Sequence, residues 1–404
     1  MKPMKQSFYT LSAAIFLSLC TACTEADIVL PVVGGEGGSG QGNGSVPDKG
    51  VPLAVDELEL SLTTGTRAAG GIVTGPPQTT TNNPNPVKKV GIMVLTDNYS
   101  SKAYYDPAIP VKAFIYNEGT WVQDTATPDF YLGTEKGIAY PFAPSDLVPL
   151  KDGHPHNGYP SVGGIELKAA QTFRFHDTGP GPVDPATDVP WDTDQVDYLC
   201  GTNGTGIHNI DRWNPNVSFQ LKHALAKVSF RVMEKDGGTL YAGRKVVKVE
   251  LKSDNQFRIS KPATPTDPGT VMDVYHCFIP DGSSTANSVL PAGSLTFTAA
   301  PGKERAVGSG ETDPARVPVQ AFGLVLEVRD YKGDAFQATA ELTLDDGHVF
   351  TTSSFALDWR GGYGGDASNH YIYTLRLDPK GVTIDKPQVV GWDTTIPEQN
   401  VPVD

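Results

Sequence analysis

The feature that most constrains the fold is a succession of short runs in which apolar and polar residues alternate. Alternation at every second residue is the period of a half-buried β-strand, and runs with the 3.6-residue period of a helix are almost absent. Glycine, with 43 residues, and proline, with 33, separate the runs. The pattern predicts an all-β protein built from β-sandwiches. The main strand candidates are Leu58–Leu62, Val90–Leu95, Val111–Tyr116, Phe130–Leu132, Gly137–Tyr140 with an expected end at Pro141, Val217–Leu221, Val228–Val232, Val246–Leu251, Leu295–Thr298, Ala321–Val328, Ala335–Leu344 and Tyr371–Leu377.

The N-terminus is typical of an export signal. Two lysines precede an apolar run that is short for a membrane span and ends in small residues, which predicts a signal peptide over residues 1–22. The residues around Cys23 resemble the lipobox of bacterial lipoproteins, in which the cysteine after a small residue is acylated. Cys23 follows Ala22 and is the predicted lipidation site, although Cys20 occupies the position where leucine is usual. The alternative is an ordinary signal peptide that is cut near Ala22.

Two further segments precede the globular part of the chain. Residues 23–51 are rich in glycine and serine, which is typical of a flexible tether. Residues 52–67 contain the first alternating run, and its leucines at positions 58, 60 and 62 share one face of a strand. A loop of small residues follows and carries a single basic side chain, Arg67. Exposed loops of this composition are preferred sites of proteolysis.

Composition and motifs argue against several functional classes. The chain has 32 Lys and Arg against 46 Asp and Glu, a formal net charge of −14, so it lacks the excess positive charge that nucleic-acid binding requires. No metalloprotease or serine-hydrolase motif occurs among its residues. We therefore expect a protein that is not an enzyme and has no cofactor.

Several small clusters leave alternatives open. His154 and His156 are expected to lie in a solvated loop, with metal binding as the alternative. The aspartates between Asp184 and Asp197 are either an acidic surface loop or a Ca²⁺ site. Cys200 and Cys277 are either paired or free and buried. Three tryptophans in loop-like contexts indicate either packing at the edge of a core or stacking on sugar rings: Trp121, Trp191 and Trp213.

A set of motifs occurs in a fixed order along almost the whole chain. It comprises the lipobox at Cys23, the strand Leu58–Leu62 followed by Thr66-Arg67-Ala68, Val90–Val94, Ala139–Phe142, Asp197–Gly201, Phe219–Val228, Tyr371–Leu375, Gly381–Ile384 and Gly391-Trp392. In this order and spacing, the sequence resembles the fimbrillin (FimA/Mfa-like) family, the type V pilins of Bacteroidia. The resemblance implies two transthyretin-like β-sandwich domains in tandem, which we place at residues 68–212 and 213–404.

The resemblance also implies a mode of assembly. An outer-membrane lipoprotein precursor would reach the cell surface, where an arginine-specific protease would cut between Arg67 and Ala68. The first strand, with Leu58, Leu60 and Leu62, would leave its groove, and a C-terminal strand of another fimbrial subunit would replace it. The donor segment would be residues 382–404, with these side chains on one face: Val382, Ile384, Val390, Trp392 and Ile396.

The expected function is thus that of a structural subunit, in the stalk, of a cell-surface fimbria that supports adhesion. Its expected partners are other fimbrial subunits, the protease, and a host glycan or protein. The alternatives are a monomeric surface lipoprotein that acts as an adhesin or binds glycan, and a tip or cap subunit of the fimbria.

Overall fold

A computed structural model describes residues 50–60, 87–96, 110–117, 119–126, 128–150, 160–175, 191–202, 208–274, 277, 279, 289–328, 336–359 and 369–391, without the side chains of residues 57–60, 191, 202, 208 and 209. All these residues belong to one compact unit, Lys49–Asp404. Its strands are β1 (Val51–Pro52), β2 (Ala54–Leu60), β3 (Lys89–Thr96), β4 (Lys112–Asn117), β5 (Thr120–Gln123), β6 (Tyr131–Leu132), β7 (Gly137–Ala143), β8 (Val148–Pro149), β9 (Ser161–Gly163), β10 (Ala170–Phe175), β11 (Trp191–Thr193), β12 (Leu199–Thr202), β13 (His208–Ile210), β14 (Asn216–His223), β15 (Ala226–Glu234), β16 (Lys245–Ser260), β17 (Val271–Asp273), β18 (Val289–Ala299), β19 (Arg305–Ala306), β20 (Ala321–Val325), β21 (Phe336–Leu344), β22 (Val349–Thr351), β23 (Phe355–Leu357), β24 (Asn369–Asp378), β25 (Gly381–Ile384) and β26 (Gln388–Gly391).

The prediction of an all-β fold is confirmed. Besides the strands, the described part of the chain contains two short 3-10 turns, Lys235–Gly237 and Pro314–Arg316, and no α-helix. No helix in these ranges is long and apolar enough to span a membrane.

The first sheet is a curled layer with strand order β2-β14-β12-β7-β3-β4-β5, and β13 also pairs with β7. Its two edge strands, β2 and β5, lie beside each other, so the sheet nearly closes on itself. Alternate side chains of these strands fill the interior, among them Val90, Ile92, Phe114, Phe219 and Leu221. On β14 the period-two pattern becomes a buried apolar face and an exposed polar one, whereas β3 and β7 are buried on both faces, and Met93, Tyr140 and Phe142 belong to a second apolar core.

The second and third sheets form a sandwich. The second has the order β11-β10-β18-β16-β21-β22, with β19 on β16 and β23 on β21, and the third has the order β20-β15-β24-β25, with β26 on β24. The aromatic ring of Phe230 on β15 lies 5.7 Å from that of Tyr373 on β24 and 5.9 Å from that of Phe297 on β18. These contacts join the two sheets through one apolar core.

The chain crosses between the layers more than once. β14 pairs with β2 and β12 in the first sheet, although it comes after position 213, whereas β10 pairs in parallel with β18 of the second sheet. Two small sheets, β17-β9-β8 and β1-β6, add further links. The tandem arrangement with a boundary at residues 212 and 213 stays a prediction.

Candidate functional site

The strand that the sequence predicts to be displaceable, β2, lies at an edge of the first sheet. Its backbone pairs with one strand, β14, in parallel, and the register runs from Ala54 opposite Asn216 to Leu60 opposite Leu221. The backbone of Leu58 lies opposite Phe219, whereas Leu62 lies outside the described residues. We call the edge of β14 that β2 covers, residues 216–223, the seat.

The seat combines an apolar face with a backbone edge. Val217, Phe219 and Leu221 of β14 are buried and alternate with exposed polar residues, and Val55 of β2 is buried beside them at 5% exposure. A strand that fits this seat therefore gains both hydrophobic burial and main-chain hydrogen bonds. Without a strand there, the edge would offer unpaired donors and acceptors to another chain.

The start of β2 is held by contacts outside the seat. The Ala54 amide donates to the Pro215 carbonyl over 3.0 Å, and the Gln123 side-chain amide on β5 donates to the Leu53 carbonyl over 2.8 Å. Just upstream, β1 pairs with β6. Gly50 has φ +75, and a Cβ there would overlap the Leu132 carbonyl oxygen, so this entry requires glycine.

On the side of β14 away from β2, the structure contains a disulfide between the two cysteines whose pairing the sequence left open. Cys200 on β12 is bonded to Cys277, with 5.4 Å between their Cα atoms, and it lies opposite Lys222 of β14. At the end of β14, the His223 Nδ1 atom lies 2.9 Å from an Asp197 carboxylate oxygen, and both side chains are buried. These covalent and polar links support β14 from the side that β2 does not cover.

The described part of the C-terminal segment, which the sequence predicts to be the donor, forms an edge of the third sheet. β25 and β26 follow one another antiparallel to β24, with Val382 opposite Leu377 and Val390 opposite His370. Val382 is buried at 7% exposure, and Ile384 and Val390 are half-buried. Trp392 and Ile396 lie outside the described residues. The described donor residues therefore belong to edge strands of the third sheet in their own subunit.

A cleft of about 720 Å³ opens beneath this C-terminal edge, between β23 and β24. Most of its lining is apolar and includes Phe355, Tyr371, Tyr373, Ile384, Pro387 and Val389, and its polar side chains are Asp358, Asn369, Asp385 and Lys386. The Tyr373 hydroxyl accepts a hydrogen bond of 3.0 Å from the Trp359 indole nitrogen, and burial raises the pKa of Tyr373. The cleft therefore offers aromatic rings and aliphatic side chains against which an apolar group can pack.

In the other candidate clusters, the members that the structure describes each have a different partner. Asp192 pairs with Arg174, Asp194 accepts from the Thr172 amide over 2.7 Å, and Asp197 faces His223. Asp184, Asp188, His154 and His156 lie outside the described residues, as do Cys23, Arg67 and Ala68. Within the ranges that the structure describes, no group of three or more His, Cys, Asp or Glu is placed to hold a metal ion.

The predicted aromatic positions divide between core and surface. Trp121 is buried at 8% exposure on β5, whereas Trp213 is 67% exposed on a turn between β13 and β14. The side chain of Trp191 is outside the described part. Sequence analysis identified β14 as a strand from its alternating Val217, Phe219 and Leu221 but did not identify it as the partner of the first strand.

Comparison with known proteins gives structural likenesses only. No protein-family profile and no curated protein sequence matches the chain. Among solved structures, a candidate cell adhesion protein from Bacteroides ovatus is 15% identical, with a TM-score of 0.43, over 86% of this chain and 99% of the other.

Two fimbrial proteins are also similar. One from Bacteroides vulgatus is 11% identical, with a TM-score of 0.42, over 75% of this chain and 92% of the other. The tip fimbrial protein Mfa3 from Porphyromonas gingivalis is 15% identical, with a TM-score of 0.32, over 76% of this chain and 95% of the other. The three solved structures are thus a candidate cell adhesion protein and two fimbrial proteins.

Proposed function

We propose that this chain is a structural subunit, in the stalk, of a cell-surface fimbria, and that subunits assemble by exchanging strands. The observation that carries the proposal is the position of β2, an edge strand with one backbone partner over an apolar seat. The predicted cleavage site, Arg67, follows the end of this strand by seven residues.

Cleavage after Arg67 changes what holds β2 in place. In the uncut chain, β2 is covalently attached to the segment that leads into β3, so it rebinds the seat as an intramolecular ligand. After the cut, β2 is free to dissociate, and it loses this high effective concentration. An incoming strand can then satisfy the same backbone groups and bury the same apolar face, which is β-strand addition.

The donor in this proposal is residues 382–404 of another copy. Part of this segment, β25 and β26, is an edge strand, so it can separate from β24 without breaking the interior of a sheet. An ion pair of 2.8 Å between Arg376 and Asp385 links the connection between β25 and β26, residues 385–387, to β24. The contact is head to tail and does not close, so repetition yields a fibre.

Export precedes assembly in this proposal. Acylation at Cys23 would anchor the precursor in the outer membrane through lipid chains, and an arginine-specific surface protease would release the body at Arg67. The partners are then other fimbrial subunits, and the assembled fibre supports adhesion to a host glycan or protein.

The test is to treat the purified full-length protein with an arginine-specific protease beside the Arg67→Ala and Arg67→Lys variants. Intact mass reports the cut, and unboiled gels report heat-sensitive ladders. We expect cleavage after Arg67 and a ladder in the wild type, and neither in the two variants. A chain that is cut at Arg67 and stays monomeric contradicts strand exchange.

A second candidate function is favoured by the cleft beneath β25 and β26. A concave site lined by Phe355 and Tyr371 suits a ligand with an apolar face, such as a sugar ring. In that case the chain acts as a monomeric adhesin or as a tip subunit. Glycan binding by the uncut monomer, lost in Phe355→Ala, would favour this function over the stalk.

A further inference from the structure

Two exposed apolar turns lie at the two ends of one extended path through the molecule. β14 leads into β15 through residues 224–225, and the two strands belong to different sheets, so the chain from Asn216 to Glu234 passes end to end from the first sheet to the third. One turn precedes the start of this path, and the other follows its end.

The first turn, residues 211–214, displays Trp213. Asp211 is buried at 4% exposure, and its Oδ1 atom accepts hydrogen bonds of 2.9 Å from the amides of Trp213 and Asn214. The Arg212 amide donates to the Gly133 carbonyl over 2.9 Å. The backbone is thus fixed, while the indole, at 67% exposure, remains in solvent.

The second turn, residues 239–243, is built on the same plan. Glu234 is buried at 3% exposure, and its carboxylate accepts from the Leu240 amide over 2.6 Å and from the Tyr241 amide over 2.8 Å. Leu240 is 64% exposed. The ring of Tyr241 packs edge-on against Phe350 at 5.4 Å, next to Val349, which is 53% exposed.

The direction of β2 determines which ends of two copies meet. β2 runs parallel to β14 and starts opposite Asn216, so a donor strand that takes over its register starts there too, beside the Trp213 turn. In the donor copy, β25 leaves β24 after Asp378, and Leu377 of β24 lies opposite Glu234. The donor strand therefore leaves its own body at the end that carries the Leu240 turn.

We propose that the Trp213 turn of one copy packs against the Leu240 turn of the next, with Val349 and Tyr241 completing the contact. This inference rests on the proposed strand exchange and adds a docking surface to it. Tryptophan on a rigid backbone is a frequent hot spot because it buries a large area at little entropic cost. The contact would hold the donor at the mouth of the seat while the strand enters.

The test measures elongation by light scattering after Arg67 cleavage of full-length Trp213→Ala and Leu240→Ala. We expect each variant to elongate at least about tenfold more slowly than the wild type, with the cleavage and the melting temperature of the monomer unchanged. Val148→Ala is the matched control, because Val148 is 58% exposed on β8, in the small β17-β9-β8 sheet, and should elongate normally.

Each interface contains one copy of both turns, so the double variant tests their contact. If they touch, Trp213→Ala with Leu240→Ala is about as slow as either single variant, because the second change has nothing left to remove. If the double variant instead shows the product of the two single rate reductions, the turns act as independent surfaces and the inference is overturned.

The remaining outcomes separate this inference from the proposed function. If the wild type forms ladders and the turn variants elongate like Val148→Ala, the docking contact is refuted and strand exchange stands. If Trp213→Ala elongates normally but loses retention on immobilised glycan, the turn is a sugar site instead. If the cleaved wild type never elongates, both the exchange and the contact are overturned.

Discussion

β2 and the β25–β26 segment are both edge strands, but they are attached to their partners in different ways. β2 pairs in parallel with β14, which is distant in sequence, and its only covalent route into the sheet runs through residues 61–88. β25 is joined to its partner β24 by the two-residue turn at 379–380 and pairs antiparallel. Cutting the loop after β2 removes its tether, whereas the C-terminal strand stays attached to its partner and can pair again locally.

The largest difference between the two edges is expected when one charged side chain is placed on each strand, at Val55 of β2 and at Val390 of β26. Val55→Asp puts a carboxylate at a position that is 5% exposed, which should cost about 3 kcal/mol or more and release β2 without proteolysis. Val390→Asp, at a half-buried site on β26, should cost under about 1 kcal/mol. Chemical denaturation of both variants measures the difference.

The same Val55→Asp chain tests the consequence for assembly. If release of β2 is what cleavage achieves, uncut Val55→Asp should form ladders and uncut Val390→Asp should not. Equal stability losses in the two variants would show that the edges do not differ as described.

A second substitution sharpens the account of how β2 is held at its start. Gly50→Ala forces a Cβ into the Leu132 carbonyl at a residue with φ +75, so we expect a loss of about 2 kcal/mol and earlier exchange of the β2 amides with solvent. Gly119 also has positive φ, at +95, but a Cβ there meets nothing within 4 Å. Gly119→Ala should therefore cost only about 1 kcal/mol and leave β2 exchange unchanged. Equal β2 exchange in both variants would contradict this role for Gly50.

A third prediction uses pH to loosen one edge and not the other. Burial, together with the charges of Lys227 and Arg231, holds the pKa of His370 well below its usual range. The unfolded chain therefore binds a proton below about pH 6.5 that the folded chain does not, and stability falls as the pH decreases. The loss should reach about 1.4 kcal/mol one pH unit lower.

His370 lies opposite Val390, so acid should weaken the β24 edge that β26 covers. Denaturation of the wild type and His370→Gln at pH 7.5 and 5.5 measures the effect, and the variant should lose that much less stability. An unchanged pH dependence in His370→Gln would exclude this histidine as the source.

Parts of both edges could be predicted from the sequence, and the reasons for the gaps are physical. Alternation identified β2 and β14, but periodicity carries no information about partners, so the parallel pairing of two distant strands was not foreseen.

Pro141 was expected to end a strand, and that expectation was wrong. β7 continues to Ala143, with Pro141 opposite Ile92 of β3 on one side and, on the other, between the parts of β7 that pair with β13 and β12; a proline is tolerated where a strand lacks a partner on one side. Gly201 leaves room for the Pro141 ring.

The smallest expected effect concerns the ion pair that holds the connection between β25 and β26 against β24. Arg376 and Asp385 are 24% and 42% exposed, so their 2.8 Å ion pair is screened by solvent and should contribute under about 1 kcal/mol. Asp385→Asn keeps the backbone hydrogen bond from residue 385 to Thr374 and removes the charge. The variant should therefore fold normally and release β25 and β26 slightly more readily, which should speed elongation after Arg67 cleavage about twofold at low salt. Because salt screens the pair in the wild type as well, the two chains should elongate at the same rate in 1 M salt. Glu135→Gln, which removes an exposed negative charge elsewhere and changes the net charge by the same amount, is the control, and an acceleration of that variant too would assign the effect to overall charge and not to the ion pair.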